Sequence, residues 1–266
     1  STRNPVYSSL DGSVVDMSTG VVYETIDADA QAFFTTWNIT DATEKTAINN
    51  LVLNLKLYSL WTLCHQILPL CFNDATKNRG DLKGTYAATM FGGITHASRY
   101  VTGNGTTGYI ATGVNDNTVS SLNSSGVSFW CNNNVQENIY CYGAFNGVNV
   151  YNVVNPRNTL NEARAIIHDD GTAYAIANSN GDGFFTFVRT TSVLKSVYRN
   201  GALISNIASS SSSKVNLENY FLKANFVGAG YSTRPFQMLI QHTGLNATQA
   251  SNLNTCVSTF RTNLGL

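Results

Sequence analysis

Charge is the scarcest property of this sequence. Only 12% of its 266 residues are charged, about half of the ~25% that is usual for a soluble domain, and 16 basic residues balance 16 acidic ones. Phosphate contacts need clustered Lys and Arg, and the sequence contains no basic run. We therefore predict that the chain has no nucleic-acid partner. Its apolar content of 43% is typical of a folded domain rather than of a disordered chain.

Apolar runs of membrane length are also missing. The longest apolar stretch, residues 51–72, is interrupted by polar residues and a proline, whereas a spanning helix needs about 18 consecutive apolar residues. The first residues, Ser-Thr-Arg-Asn-Pro, contain no apolar core of a signal peptide. We expect no membrane insertion, and we expect a whole gene product that folds in a reducing cytoplasm.

The cysteines form no metal or redox motif. Five are present, and none has the CxxC spacing or the spacing of a zinc site. Buried, reduced thiols are the favoured interpretation, and they suit a reducing compartment. The sequence leaves open that Cys131 and Cys141 pair across a hairpin.

Catalytic motifs are missing as well. Sandwich-fold glycosidases need two neighbouring carboxylates, but Glu162 and Glu218 stand alone beside predicted strands. A GxSxG nucleophile elbow does not occur, and the histidines form neither an HxH nor an HExxH pattern. We predict no catalytic residue and no cofactor. The four histidines are His65, His96, His168 and His242.

A calcium site is the metal site that the sequence leaves open, because lectin-like sandwiches often hold Ca²⁺. Its candidate ligands are Asp169, Asp170 and Asp182. Aspartate also favours turns through hydrogen bonds to its own backbone, and we prefer that interpretation, so we predict no metal. The five serines of Ser209–Ser213 are expected to form an exposed, flexible connector.

Short β-prone runs separated by turn residues fill residues 83–242. About a dozen such runs at regular spacing predict an antiparallel β-sandwich. Asn200-Gly201 and Asp170-Gly171 are typical of two-residue hairpin turns. The predicted strands are Thr85–Phe91, Gly108–Thr112, Val127–Asn132, Asn138–Tyr142, Val148–Val153, Ala163–His168, Ala173–Ala177, Phe184–Arg189, Leu194–Arg199, Ala202–Ile207, Tyr220–Val227 and Phe236–His242.

Helical patterns flank the predicted sandwich. Asp41-Ala-Thr-Glu44 has the form of a capping box, and the apolar pattern of residues 60–68 continues a helix until Pro69. Asn246 is expected to begin a last helix that docks on the sandwich and stops at Gly265. Its apolar face would consist of Leu253, Val257, Phe260 and Leu264. The predicted units are an extended arm or small hairpin at 1–27, a helical segment at 28–82, and a sandwich with its terminal helix at 83–266.

Aromatic residues suggest where a sugar could bind. Sugars stack on aromatic rings, and Trp130, Tyr140, Tyr142 and Tyr151 fall in or beside the middle strands. Aromatic residues in strands also serve packing, which is the interpretation that we favour for these four.

Several segments together resemble one family. These are Leu53–Trp61, Arg79-Gly-Asp-Leu-Lys-Gly84, Met90–Ser98, Gly103–Ala111 and the C-terminal Gly244–Gly265. Their order is similar to that of concanavalin A/laminin-G-like jelly-roll proteins encoded by bacteriophages, especially Bacteroidetes phages, and Tyr198-Arg-Asn-Gly201 resembles a laminin-G hairpin. The resemblance implies a role on the virion surface, as a tail fibre, tail tip, head fibre or capsid decoration. The family has no agreed catalytic residues to carry over.

Three functions follow from the sequence. The first is a non-enzymatic phage virion protein that contacts host surface glycans. Its expected partners are copies of itself, with a trimer as one form, and other virion proteins. The second is a carbohydrate-binding or adhesion module of a bacterial surface protein. The third is a sandwich-fold glycosidase or polysaccharide lyase.

Overall fold

The structure is a computed structural model that describes residues 6–8, 13–16, 21–147, 150–169 and 174–266. Its helices are α1 (Ala28–Thr36), α2 (Ala42–Leu57), α3 (Asp116–Val119) and α4 (Ala247–Asn263), with 3₁₀ turns at Trp61–Leu63 and Lys77–Arg79. Its strands are β1 (Val6–Ser8), β2 (Ser13–Asp16), β3 (Val21–Glu24), β4 (Cys64–Leu68), β5 (Thr89–Phe91), β6 (Ile94–Ala97), β7 (Tyr100–Gly103), β8 (Tyr109–Asn115), β9 (Ser125–Cys131), β10 (Tyr142–Phe145), β11 (Tyr151–Asn155), β12 (Glu162–Asp169), β13 (Tyr174–Ala177), β14 (Gly183–Thr191), β15 (Leu194–Arg199), β16 (Ala202–Ala208), β17 (Glu218–Phe221) and β18 (Pro235–His242).

Two antiparallel sheets form a β-sandwich, as the spacing of the strands predicts. One sheet has seven strands in the order β13-β12-β11-β10-β17-β8-β5. The other has eight, with β16-β15-β14-β9-β18-β7-β6 in a row and β4 paired to β18. The strands β1, β2 and β3 form a separate antiparallel sheet within the predicted arm.

The main core lies between the two large sheets. Alternate side chains of each strand point inward, and three phenylalanine rings meet across the gap. The ring of Phe129 on β9 lies 5.7 Å from that of Phe221 on β17 and 5.4 Å from that of Phe236 on β18. All three are fully buried, and each contributes about 1.5–3 kcal/mol of hydrophobic stabilisation.

A second core lies on the outer face of the eight-stranded sheet. Met238 and Ile240 of β18 point away from the inner core and pack under α1, α2 and α4. The predicted face of the last helix is confirmed, since its four apolar residues are buried in this cluster. These three helices all lie on the eight-stranded sheet and, in the described part of the chain, leave the outer face of the seven-stranded sheet uncovered by helix, while the loop residue Ala224 packs there with Val153 and Ile166. A site on that uncovered face can reach solvent.

The predicted continuation of the helix through residues 60–68 is wrong. Helix α2 ends at Leu57, and Ser59 adopts a positive φ of 56° that turns the chain. Residues Cys64–Leu68 then form β4, which pairs with β18. A short apolar run that is buried on both faces fits a strand and a helix equally well by periodicity. The sandwich therefore begins before residue 83, and His65 lies on a strand.

The predicted turn and helix caps can be compared with the structure. Asn200 and Gly201 have φ values of 51° and 77° and join β15 to β16, which confirms the predicted hairpin turn. Asp170-Gly171 lies outside the described residues. Asp41 accepts the N–H of Glu44 at 2.9 Å, which is the first hydrogen bond of the predicted capping box. The Glu44 carboxylate, which would make the second, lies 3.4 Å from the Arg99 guanidinium. The capping box of Asn246 and Gln249 is complete.

Some predicted strands shift or are missing. The predicted strand Asn138–Tyr142 is wrong for most of its length, since β10 begins at Tyr142. The short strands β6 and β7 were not predicted, because their Gly, His and Ser residues resemble a loop. The bounds of Leu194–Arg199 agree with β15.

Candidate ligand-binding face

Two of the four aromatic residues singled out in the sequence are packing residues, as we favoured. Trp130 lies under α4, where the Arg261 guanidinium is 3.8 Å from the centre of its ring. Tyr142 is buried between the sheets and donates its hydroxyl to Gln241 at 2.6 Å. Neither ring is placed to stack on a ligand.

The other two lie on the uncovered face. Tyr151 of β11 is half-buried and stacks on Phe145 of β10 at a centroid distance of 4.0 Å. Phe226 meets Phe145 edge-on at 5.7 Å, and Tyr140 packs against the same small cluster. Because all of these rings are only partly buried, they form one aromatic patch on the outer face of the seven-stranded sheet.

A second row of aromatic rings crosses the same face. The pairing of β5 with β8 sets Phe91 opposite Tyr109, and their rings stack at 4.8 Å. Tyr220 on β17, the next strand, lies 4.8 Å from Tyr109. Their neighbours in sequence, Ile110 and Phe221, are buried in the inner core, so the alternation of the strand turns these rings outward. We call Phe91, Tyr109, Tyr220 and Tyr231 the tyrosine strip.

A loop supplies the fourth ring and a cation. Residues 222–232 follow β17 and close on themselves, since Ser232 donates its N–H to the Leu222 carbonyl at 2.6 Å. The loop places the Tyr231 ring 6.5 Å from Tyr109. It also places Lys223 Nζ 4.4 Å from the centre of the Tyr231 ring and 5.5 Å from that of Tyr109. The cation is thereby held against the electron-rich faces of two rings.

Lys223 also lines a cavity of about 510 Å³. That volume lies within the ~300–1,000 Å³ range of small-molecule sites. The cavity joins the patch around Phe145 to the tyrosine strip through the shared Lys223. Its described lining residues are Phe145, Asn146, Gly147, Leu217, Lys223, Asn225, Phe226 and Val227.

Backbone contacts fix the loop beside this cavity. Asn225 donates its N–H to the Gly143 carbonyl at 2.8 Å, and Phe145 donates to the Asn225 carbonyl at 3.3 Å. Gly143 has a φ of 116°, and a Cβ there would lie 1.7 Å from the Asn152 carbonyl oxygen. Only glycine fits this position, because the backbone of Asn152 fills the space that a side chain would need.

The surroundings of the tyrosine strip keep the Tyr220 phenol in its neutral form. Burial raises the pKa of Tyr220, and the neighbouring Tyr109 and Glu218 raise it further. Tyr220 therefore keeps its hydroxyl proton at neutral pH and can donate it. The Glu218 carboxylate accepts the Gly113 N–H at 2.5 Å, so this acid is tied to the backbone of β8.

The candidate calcium ligands do not come together. Asp169 ends β12 and is buried with Lys195 and Arg189, so its interpretation as a turn residue is wrong. Asp182 is exposed, and Asp170 lies outside the described residues. Within the described ranges, no group of three or more His, Cys, Asp or Glu side chains is arranged to hold a metal ion.

Ser209 differs from the exposed connector that we predicted. It is buried and donates its hydroxyl to Asp169 at 2.9 Å. Ser210 is exposed, and the Ser211 hydroxyl contacts Asn123 at 2.7 Å. The connector is therefore anchored at its start.

The histidines are placed for structure. His168 Nδ1 faces the Leu122 carbonyl at 3.0 Å and Nε2 faces Asp116 at 3.3 Å, with both side chains buried. His242 is buried, and burial lowers its pKa to about 4. Burial also lowers the pKa of His65 and of His96.

The cysteines are buried free thiols, as expected. Cys131 and Cys141 form no disulfide, and neither do the other three. Burial raises the pKa of Cys131 to about 12, so this thiol is uncharged and unreactive at neutral pH. In the part of the chain that the structure describes, no helix is both long and apolar enough to cross a membrane.

Solved structures match the fold, whereas no protein-family model matches the chain and no curated protein sequence matches it. Domain 4 of AbnA, an extracellular GH43 arabinanase of Geobacillus stearothermophilus in complex with arabinotriose, superimposes with a TM-score of 0.50 at 16% identity, over 72% of this chain and 98% of that one. A structure of botulinum neurotoxin type C, whose cell entry depends on interaction with two ganglioside molecules, superimposes with a TM-score of 0.55 at 13% identity, over 73% of this chain and 51% of that one. A Trypanosoma rangeli sialidase mutant gives 0.54 at 12% over 80% and 39%.

These likenesses establish the sandwich fold. The chain spans about half of the toxin structure and two fifths of the sialidase structure. The first of these structures is in complex with arabinotriose, the second is of a toxin whose cell entry depends on gangliosides, and the third is a sialidase mutant. The sandwich therefore has the fold of domains found in carbohydrate-binding and glycan-active proteins.

A smaller cavity of about 300 Å³ lies on the helical side, between α1 and residues 81–87. Its charged side chains from residues 81–87 already have partners. Asp81 accepts backbone N–H groups from Ile67, Lys83, Thr85 and Tyr86, and Lys83 Nζ donates to the Trp61 carbonyl at 2.9 Å. The aromatic face is thus the better candidate site.

Sequence reasoning missed the tyrosine strip. Its members come from β5, β8, β17 and a loop, and they are separated by up to 140 positions in the chain. A usable signal was present at Tyr109-Ile110 and Tyr220-Phe221, where an aromatic residue and a core residue alternate. It could not be interpreted without knowing that β17 pairs with β8.

Proposed function

We propose that this chain binds glycans on the outer face of its seven-stranded sheet, without chemical conversion of the ligand. The observation that carries the proposal is the tyrosine strip with its adjoining cavity. Partly buried rings that face solvent offer flat surfaces for the C–H faces of sugar rings. Phenol and amide groups beside them offer hydrogen bonds to sugar hydroxyls.

The proposal includes that this face does not cleave the glycan that it binds. A retaining or inverting glycosidase needs two carboxylates on opposite sides of the scissile bond. On this face Glu218 is held by the backbone of β8, and the described residues that line the cavity include no acid. Release of reducing ends from a polysaccharide by the purified protein, lost on substitution of Glu218, would contradict this part.

The biological setting that we propose is the surface of a bacteriophage virion, with the chain as a structural subunit. The resemblance of residues 50–113 and 236–265 to phage jelly-roll proteins supports this setting. A bacterial adhesion module is the alternative with the same ligand chemistry. Mass spectrometry of purified phage particles separates the two, because only a virion subunit occurs there in stoichiometric amounts.

A glycan array tests the binding. The wild-type protein should bind a subset of glycans, and Tyr220→Ala should weaken binding at least about tenfold, since truncating a central aromatic contact commonly costs ~2 kcal/mol or more. Tyr58→Ala is the matched control, because Tyr58 is exposed at the end of α2, away from the strip. Equal binding by the two variants would contradict the assignment of the face.

A further inference from the structure

We propose that the ligand of this face is an acidic sugar, and that its carboxylate binds Lys223 Nζ. This inference rests on the proposed glycan binding and specifies the class of glycan. It begins from the position of Lys223, which is shared by the tyrosine strip and the cavity.

The described lining of the cavity carries charge of a single sign, and the Glu218 carboxylate lies beside Tyr220 of the strip. Among the described residues that line the cavity, Lys223 is the charged one. Within the described part of the chain, Lys223 makes no ion pair. Its Nζ donates to the Tyr231 hydroxyl at 3.3 Å. A half-buried cation with neutral neighbours attracts an anion more strongly than a fully solvated one, because the surrounding medium screens it less.

The neighbouring rings hold the ammonium group in place. The faces of Tyr109 and Tyr231 fix Nζ from two sides, which lowers the side-chain entropy that an ion pair must otherwise overcome. A sugar that stacks on Tyr220 would carry its ring substituents toward Tyr109 and the Lys223 ammonium group that lies over it. The ligand chemistry is therefore a pyranose ring with a carboxylate attached to it.

An amide group completes the match to a sugar of this kind. Asn225 lines the same cavity; its Nδ2 donates to the Glu218 carbonyl at 2.8 Å, so its Oδ1 is the atom that can accept a hydrogen bond from a hydroxyl or acetamido group. Two kinds of sugar combine a ring, a carboxylate and such substituents. One is a uronic acid, and the other is a sialic acid.

The test compares acidic ligands with neutral counterparts of the same shape. The first pair is tri-galacturonic acid and its methyl ester, and the second is 3′-sialyllactose and the methyl ester of its carboxylate. Affinities are measured by isothermal titration calorimetry at low and high salt. The two pairs distinguish the uronic acid source from the sialic acid source.

We expect at least one acid to bind about fivefold or more tighter than its neutral counterpart, which is the upper range for a partly exposed ion pair. The preference should vanish at high salt and in Lys223→Gln, while binding of the neutral ligand should persist. Lys45→Gln is the matched control, since Lys45 Nζ also lies over a ring, that of Phe34, but on the helical side. It should leave the preference unchanged.

Three outcomes would overturn the inference. Equal affinity for acid and neutral ligand would show that the carboxylate is not recognised. An equal loss for both ligands in Lys223→Gln would show that Lys223 only supports Tyr231. Failure of all four ligands to bind, while a neutral glycan of the array binds, would overturn the inference and leave the proposed function standing.

Discussion

Asp169 is the shared carboxylate of a buried charge cluster, and we predict that Asp169→Asn destabilises the sandwich strongly. Its Oδ2 atom contacts Lys195 Nζ, lies 3.4 Å from Arg189 Nη2 and accepts the Ser209 hydroxyl at 2.9 Å. The Asp169, Lys195 and Arg189 side chains are at most 1% exposed. The substitution keeps the shape of the side chain and removes the negative charge.

The expected loss of stability depends on the hydrogen bonds that Lys195 and Arg189 keep in the variant. Removing one partner of a buried ion pair costs about 3–5 kcal/mol. Lys195 Nζ keeps the Ala165 carbonyl at 2.9 Å, and Arg189 Nε keeps the Ile167 carbonyl at 2.7 Å. We therefore expect the lower end, about 3 kcal/mol. In a chain of this size that corresponds to a fall in Tm of about 6–12 °C.

The assay is urea and thermal unfolding followed by circular dichroism. Asp182→Asn is the control, because Asp182 is exposed and surface substitutions change stability by about 0.5 kcal/mol or less. A loss below about 1 kcal/mol in Asp169→Asn would refute the reasoning, since it would mean that the cluster is solvated.

Three further predictions concern pH, backbone geometry and the arm. Burial lowers the pKa of His242 from 6.5 to about 4. The folded state is therefore most stable above pH 6.5 and loses about 3 kcal/mol as the pH falls toward 4. The urea midpoint should fall over the same pH range, and His242→Gln should flatten this dependence. Gly143→Ala should lower the free energy of unfolding by about 1–3 kcal/mol or more, whereas Gly147→Ala, also at positive φ but with open space around it, should cost less in the same thermal melts. Removal of residues 1–24 should leave a folded sandwich with a cooperative thermal melt, because the cut spares Asp27, which caps α1; loss of folding would contradict this.

Local signals in the sequence predicted local structure well. The turn at Asn200-Gly201 and the cap at Asn246 depend on residues within three positions, and both are confirmed. The strand β4 was not predicted, because a short run that is buried on both faces has the same composition in a helix. What decides its conformation is pairing with β18, about 170 positions later.

The candidate site is formed by strand pairings between residues that lie far apart in the sequence. Tyr109 and Tyr220 become neighbours only through the register of β17 on β8, and a shift of β17 by one residue would turn Tyr220 to the inner face. Trp130 could not be assigned from sequence, since its role depends on Arg261 of α4 lying over its ring. The fold class was thus available from the pattern of strands, while the binding face required the topology.

Mapping a bound glycan onto the protein tests the central claim most directly. The ligand would be the strongest binder from a glycan array, titrated into isotopically labelled protein and followed by NMR chemical-shift changes. The account predicts the largest changes at Tyr109, Tyr220 and Tyr231 and at residues beside the cavity of Lys223. Changes confined to the cavity between α1 and residues 81–87, or spread over the helical side, would contradict it.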